Sequence, residues 1–161
     1  MEELNPETIL RWLEGKNLSI LERVLITHDG TVQSLLSYIL QCPVTIEVLS
    51  QEEGPESILR RVYLRAGDLV CAKATSYIPL GFNSHKVSDL VQQKTLGLGQ
   101  IAKVLGIETT RTIMDLGVNK ESFWREYRMT GSGLLYRITE VFPRTLYQEL
   151  IAQENRRPVA L

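Results

Sequence analysis

The stretch that decides the fold runs from residue 58 to residue 78 and consists of ILRRVYLR (58–65), AGD (66–68) and LVCAKATSYI (69–78). Both outer segments contain β-branched and aromatic residues, which favour strands. The three residues between them suit a tight turn. Because short turns join antiparallel neighbours, the stretch predicts a β-hairpin that belongs to an antiparallel sheet.

Further strand patterns lie on both sides of this hairpin. Upstream, hydrophobic residues alternate along VTIEV (44–48), where Val44, Ile46 and Val48 share one face. Downstream, three segments are each bounded by turn residues, and Gly131-Ser132-Gly133 predicts a hairpin between the last two. These segments are TTRTIMDLGV (109–118), FWREYRMTG (123–131) and LLYRITEVF (134–142).

Helical patterns fill the rest of the chain. N-terminal helices are predicted within 5–42, with Asn5 as the first N-cap, although SILERVLIT (19–27) fits a helix or a strand equally well. A helical insertion is predicted over 84–106 and a C-terminal helix over 145–154. With strands from residue 43 onwards, the expectation is one α+β domain over 1–161, an antiparallel sheet of about six strands packed with helices.

Composition excludes several classes of protein. Lys plus Arg number 18 and Asp plus Glu 19, a formal net charge of −1, which argues against nucleic-acid binding. No apolar run reaches the roughly 18 residues of a membrane span, and the acidic start lacks the pattern of a signal peptide. We therefore expect a soluble, cytoplasmic protein. The only cysteines, Cys42 and Cys71, lie in apolar runs and are interpreted as reduced core residues.

Strand alternation singles out two charges. On one face of 58–65, Arg60 is the only polar residue, and on one face of 134–142 Glu140 is the only charge. A buried charge is costly unless it is paired or serves a ligand. Two interpretations stay open: Arg60 and Glu140 pair with each other or face solvent, or they form an enclosed site. In that site Arg60 grips a carboxylate and Glu140 handles a proton.

Other polar residues give weaker signals. Lys73 and Thr75 lie on the less apolar face of their strand, so Lys73 is interpreted as solvated, whereas Arg111 fits either face. His28 is interpreted as a helix-start feature, and the glycines of LGLG (96–99) as a break between two helices. Outer-face positions are predicted for three more arginines: Arg125, Arg128 and Arg137.

Several of these motifs, taken in order, resemble those of chorismate pyruvate-lyases. The opening helices and HDGTVQSLL (28–36) also resemble the short branch of this family found in cyanobacteria, plastids and archaea. The resemblance covers about residues 58–147. The matching segments are LRRVYL (59–64), YIP (77–79), LG (98–99), TRTIMDLG (110–117), LYRITEVF (135–142) with Pro143, and Leu146-Tyr147.

The resemblance implies a fold and a reaction. The family has an antiparallel sheet of about six strands and encloses its ligand under helical flaps. It converts chorismate to 4-hydroxybenzoate and pyruvate without a metal or organic cofactor. The matching positions imply that Arg60 binds the ring carboxylate and that Glu140 reaches the 4-hydroxyl.

The chain departs from the family at Thr75, where the better-known bacterial enzymes have a second ligand-binding arginine. Lys73, two residues away on the same strand face, is a candidate substitute, and Arg111 is a possible third cation. Thr75, Lys73 and Arg111 are therefore candidate substrate-binding residues beside Arg60 and Glu140.

Two other functions remain open at this level. One is a non-catalytic domain that binds a small aromatic carboxylate, similar to the effector-sensing domains of some transcription regulators. The other is a scaffold without a ligand, for which Arg60 and Glu140 should simply pair. The expected partner is a small molecule, with no nucleic acid or membrane, and the expected state is a monomer or a small homo-oligomer.

Overall fold

A computed structural model describes residues 2–158 of the chain. Its centre is one antiparallel sheet of six strands in the order β1-β2-β3-β6-β5-β4. The hairpin predicted from residues 58–78 is present, and its turn residue Gly67 has the positive φ of +61° that glycine tolerates best. The strands are β1 (Thr45–Glu53), β2 (Ser57–Ala66), β3 (Leu69–Pro79), β4 (Thr109–Val118), β5 (Ser122–Gly131) and β6 (Leu134–Pro143).

Helices precede, interrupt and follow the strands. This arrangement confirms the α+β class predicted from the sequence. The described α-helices are α1 (Pro6–Leu13), α2 (Ile20–Thr27), α3 (Val32–Leu40), α4 (His85–Gln92), α5 (Leu98–Val104) and α6 (Arg144–Arg156), with a short 3₁₀ turn at Leu80–Phe82.

Side-chain caps explain where the first two helices begin. Asn5 Oδ1 accepts a hydrogen bond from the Thr8 backbone N–H at 2.8 Å, as predicted. Ser19 and Glu22 form a reciprocal capping box, in which each side chain accepts a hydrogen bond from the other residue's backbone N–H. This box explains why the ambiguous segment 19–27 is a helix.

Helices cover the inner face of the sheet, where two hydrophobic clusters form. The first cluster joins α4 and α5 to residues such as Ile58 and Ile78. The second joins α2, α3 and α6 to residues such as Phe123, whose ring stacks on that of Phe142 with centroids 4.9 Å apart. The sheet between the two clusters is the floor of the site described below.

Of the two cysteines, only Cys71 lies in the core, where burial raises the pKa of its thiol. Cys42 is half-buried, so its predicted core position is only partly correct. Over residues 2–158 no helix has the length and apolar character needed to span a membrane.

A buried ion pair joins the N-terminal helices to α6. Arg144 Nε lies 2.7 Å from Glu22 Oε2, and Arg144 Nη2 donates to the Asn17 carbonyl at 2.7 Å. Burial alone would raise the pKa of Glu22, because it favours the neutral carboxyl. The hydrogen bonds and charge of Arg144, together with the hydrogen bond from the Ser19 N–H, outweigh burial and lower this pKa below its ordinary value.

We expect Glu22→Gln to lower the free energy of unfolding by about 1–3 kcal/mol at pH 7, because Gln retains a capping oxygen but not the charge. A lowered folded-state pKa contributes stability above the unfolded-state value, and this contribution disappears as the pH falls through the folded-state pKa. Urea titrations of both proteins should therefore converge in acid. Glu149→Gln, which alters the exposed pair with Arg156, is the control and should change little. If the difference in unfolding free energy between the wild type and Glu22→Gln did not change with pH, this assignment would be contradicted.

Candidate functional site

A small cavity of about 70 Å³ lies between the inner face of the sheet and two covering segments. One segment, residues 28–31, connects α2 to α3, and the other, residues 96–99, leads into α5. Such a volume has room for a few water-sized groups. Its walls are Thr31, Val32, Gln33, Ile46, Arg60, Val62, Leu64, Ala74, Gly97, Leu98, Gly99, Arg111, Tyr127, Ile138 and Glu140.

Arg60 is a buried cation that has no counterion among the residues described by the structure. Its side chain, on β2, is 1% exposed, and its Nη2 donates to the Leu96 carbonyl at 2.7 Å. Its Nε and Nη1 are buried and have no hydrogen-bond partner within residues 2–158. Burial lowers the pKa of this guanidinium, since a low-polarity surrounding disfavours charge. Unpaired N–H donors on a desolvated cation are suited to an anionic acceptor such as a carboxylate.

Two other polar groups beside Arg60 are also unsatisfied. Gln51 of β1 is opposite Arg60 in the sheet register, and its Oε1 is buried without a partner in the described chain. The Tyr136 hydroxyl is also buried without a partner in the described chain, and burial raises the pKa of Tyr136 so that it stays protonated. Buried polar groups almost always have partners, so the surroundings of Arg60 have an unused capacity for hydrogen bonding, although neither Gln51 nor Tyr136 lines the cavity.

Glu140 pairs with Arg125 and not with Arg60. Arg125 lies directly opposite Glu140 in the sheet, and its Nε is 2.7 Å from Glu140 Oε1. Both side chains are almost fully buried, and the Tyr127 hydroxyl lies 3.5 Å from Glu140 Oε2. Burial alone would lower the pKa of Arg125, but the charge of Glu140 outweighs it and raises that pKa. The pair with Arg125 holds the Glu140 carboxylate in a fixed position.

The position of Arg125 corrects the sequence analysis, which placed it on the outer face. Residues Phe123, Arg125, Tyr127 and Met129 form the inner row of β5, and all four are buried. The signal was available, because the alternation that revealed Arg60 and Glu140 also applies to FWREYRMTG. Aromatic residues on both rows of this strand (Phe123 and Tyr127 against Trp124) obscured it. Arg128 and Arg137 are exposed, as predicted.

Arg111 closes one side of the cavity. It is half-buried on β4, and its Nη1 lies 3.4 Å from the Asp29 carbonyl oxygen. Its guanidinium carbon lies 5.9 Å from the centre of the Tyr127 ring. A Cβ on Gly99 would lie 3.3 Å from Arg111 Nη2, so this glycine allows the arginine to approach α5 closely.

Lys73 and Thr75 are not part of the cavity. In the sheet register Ala74 is opposite Glu140 and Ser76 is opposite Arg60, so Lys73 and Thr75 project from the other face. Lys73 is exposed, which confirms its interpretation as a solvated lysine. The structure therefore does not bring these two candidate substrate-binding residues together with Arg60 and Glu140.

Three inner-face arginines hold the covering segments. Arg60 donates to Leu96, Arg111 to Asp29 and Arg125 to His28, in each case through the backbone carbonyl.

Two local predictions concern these covering segments. His28 ends α2, which corrects its predicted place at a helix start, and burial together with the nearby Arg125 charge lowers its pKa. Gly97 caps the start of α5, which confirms the predicted break between helices.

The arrangement brings an unpaired buried cation and an anchored carboxylate to one cavity. Arg60 can hold a carboxylate, and Glu140 can accept a hydrogen bond from a ligand hydroxyl or exchange a proton with it. Within residues 2–158 no three His, Cys, Asp or Glu side chains gather into a group that could hold a metal ion.

Comparison of the chain with models of known protein families gives no match, and comparison with curated proteins gives none either.

Proposed function

We propose that the domain is a chorismate pyruvate-lyase, which converts chorismate to 4-hydroxybenzoate and pyruvate. One observation carries this proposal: Arg60, with two free buried donors, and Glu140, with a fixed carboxylate, line the same small cavity. A compact ring with a carboxylate on one side and a hydroxyl on the other complements these two groups. The proposal also rests on the resemblance of residues 58–147 to this family.

The reaction needs few groups from the protein. The bond between C3 of the ring and the ether oxygen breaks, C4 loses its proton, and the ring becomes aromatic. The departing enolpyruvyl fragment takes up a proton and becomes pyruvate, so that atoms and charge balance. Arg60 holds the ring carboxylate, and Glu140 orients the 4-hydroxyl or transfers the proton. Catalysis here is mainly the positioning of one substrate conformation in an enclosed site.

The competing function is a domain that binds a small aromatic carboxylate without chemistry. It uses the same cavity and the same Arg60 contact, and only turnover distinguishes it. A scaffold without a ligand is less well supported, because it requires Arg60 and Glu140 to pair, whereas Glu140 pairs with Arg125 and Arg60 has no carboxylate partner in the described residues.

The decisive measurement mixes the protein with chorismate and follows 4-hydroxybenzoate by absorbance and pyruvate by a coupled enzyme. We expect equal amounts of both products. Glu140→Gln should slow turnover by about 10²–10⁴-fold, the range for loss of a positioned acid or base, and should affect 4-hydroxybenzoate affinity less.

Glu126→Gln is the matched control, since Glu126 lies on the outer face of β5 and pairs with Arg137. It should leave turnover unchanged. No turnover together with no calorimetric binding of 4-hydroxybenzoate would refute the lyase proposal. Binding without turnover would support the non-catalytic alternative.

A further inference from the structure

A second cavity, of about 320 Å³, adjoins the first. Arg111 and Tyr127 line both cavities and form the wall between them. The second cavity is also lined by Arg125 and His28 and extends to α1 at the protein surface. Arg111 therefore borders both cavities, whereas Arg125 borders the outer one.

This wall has more cationic than anionic groups. The guanidinium of Arg125 lies 4.7 Å from the centre of the Tyr127 ring, and that of Arg111 lies 5.9 Å from it. Among the described residues, Glu140 forms a salt bridge with Arg125 and none with Arg111. The carboxylates of Glu3 and Asp29, which also border the outer cavity, belong to exposed residues and form no salt bridge with either arginine in residues 2–158.

Both arginines also have unused donors. Arg125, which is 1% exposed, has a buried Nη2 without a partner, and Arg111 has a buried Nε without one in the described part of the chain. A buried N–H group without a partner is costly, so two such groups at one wall indicate a place for an anion.

We propose that Arg111 and the free Nη2 of Arg125 bind the second carboxylate of the substrate, the one on the enolpyruvyl side chain. This inference rests on the proposed lyase function. In chorismate the ether carbon C3 is bonded to C4, which bears the hydroxyl, whereas the ring carboxylate is on C1, across the ring. With the hydroxyl at Glu140, the side chain lies beside the partner of Glu140, which is Arg125.

The assignment also accounts for the family arginine that is absent at Thr75. Thr75 projects from the opposite face of the sheet, so a cation there would not reach this cavity in the present structure. Strands β4 and β5 provide the second cationic group from the other side of Glu140. The two carboxylates of the substrate thus have separate cations, Arg60 for one and Arg111 with Arg125 for the other.

The test compares a ligand with two carboxylates to a ligand with one. Arg111→Gln should raise KM for chorismate about tenfold to hundredfold, the usual effect of losing a hydrogen bond to a charged group. The Kd for 4-hydroxybenzoate, which lacks the second carboxylate, should change less than about twofold. Arg111→Lys should restore part of the loss, because a lysine keeps the charge but not the fork.

Two internal controls keep the result interpretable. Arg128→Gln, on the outer face of the neighbouring strand, should change neither constant. Partial unfolding would weaken the binding of both ligands alike. The ratio of KM for chorismate to Kd for 4-hydroxybenzoate within one variant therefore reports the loss of the Arg111 contact alone. Equal losses for the two ligands, or no loss, in an active protein would overturn this assignment and leave the lyase function standing. A wild-type protein that neither converts chorismate nor binds 4-hydroxybenzoate would overturn both.

Discussion

Replacing Arg60 by methionine is expected to weaken strongly the binding of both chorismate and 4-hydroxybenzoate without destabilising the domain. Ligand affinity should fall at least about thirtyfold, because truncating one member of a buried, hydrogen-bonded charge pair costs about 2 kcal/mol or more. Unlike Arg111→Gln, this variant should affect both ligands, since both have the ring carboxylate. Isothermal calorimetry with each ligand measures the effect.

The stability of the free protein should not fall when Arg60 is replaced, although its ligand affinity does. The free protein holds the Arg60 guanidinium 1% exposed, with one hydrogen bond and no counterion in residues 2–158. Methionine has a similar shape and no charge, and replacing buried ionic groups by apolar ones is often neutral or stabilising. Urea denaturation should therefore give Arg60→Met an unfolding free energy equal to or above that of the wild type. A residue kept at a cost in stability is typical of a functional site.

Arg61→Met is the matched control because Arg61 is the next residue of the same strand and points outwards. Its Nη1 lies 3.5 Å from Glu52 Oε1, and both side chains are exposed. Removing it should change stability by no more than about 0.5 kcal/mol and should not affect binding. If Arg60→Met unfolds readily but still binds 4-hydroxybenzoate, the role of Arg60 is to fix the Leu96 carbonyl and not to bind a ligand.

The sequence predicted the sheet and two of its inward charges because strands have a simple period. A row such as Ile58, Arg60, Val62 and Leu64 identifies its one polar member without knowledge of the neighbouring strands. The capping pair Ser19 and Glu22 was equally visible and would have identified α2 as a helix.

What local patterns cannot predict is which rows come together. The alternation of β3 predicts which face bears Lys73 and Thr75, but the pairing of Ser76 with Arg60 depends on the register between β2 and β3. Contacts between distant segments, such as Arg60 with Leu96 or Arg125 with His28, have no periodic signal in either segment. The cavity is built from such contacts, so the sequence predicted its central charges but not its walls.

Arg125→Met should be strongly destabilising, in contrast to Arg60→Met. It would leave the Glu140 carboxylate buried without its partner, and breaking one side of a buried pair costs about 3–5 kcal/mol. Adding Glu140→Gln should recover much of that loss, because the double variant has no uncompensated charge. Urea denaturation of the wild type, both single variants and the double variant forms a cycle that gives the coupling energy.

The surface pair of Arg137 and Glu126 provides a control on the same two strands. Its Nε–Oε1 distance is 2.6 Å, close to the 2.7 Å of the buried pair, but it lies on the outer face. The same cycle there should give a coupling of only about 0–1 kcal/mol. If the two cycles gave equal couplings, burial would not be what makes the Arg125–Glu140 pair strong. Turnover should not recover with stability, since the double variant lacks both the Glu140 carboxylate and the Arg125 donor proposed to bind the substrate.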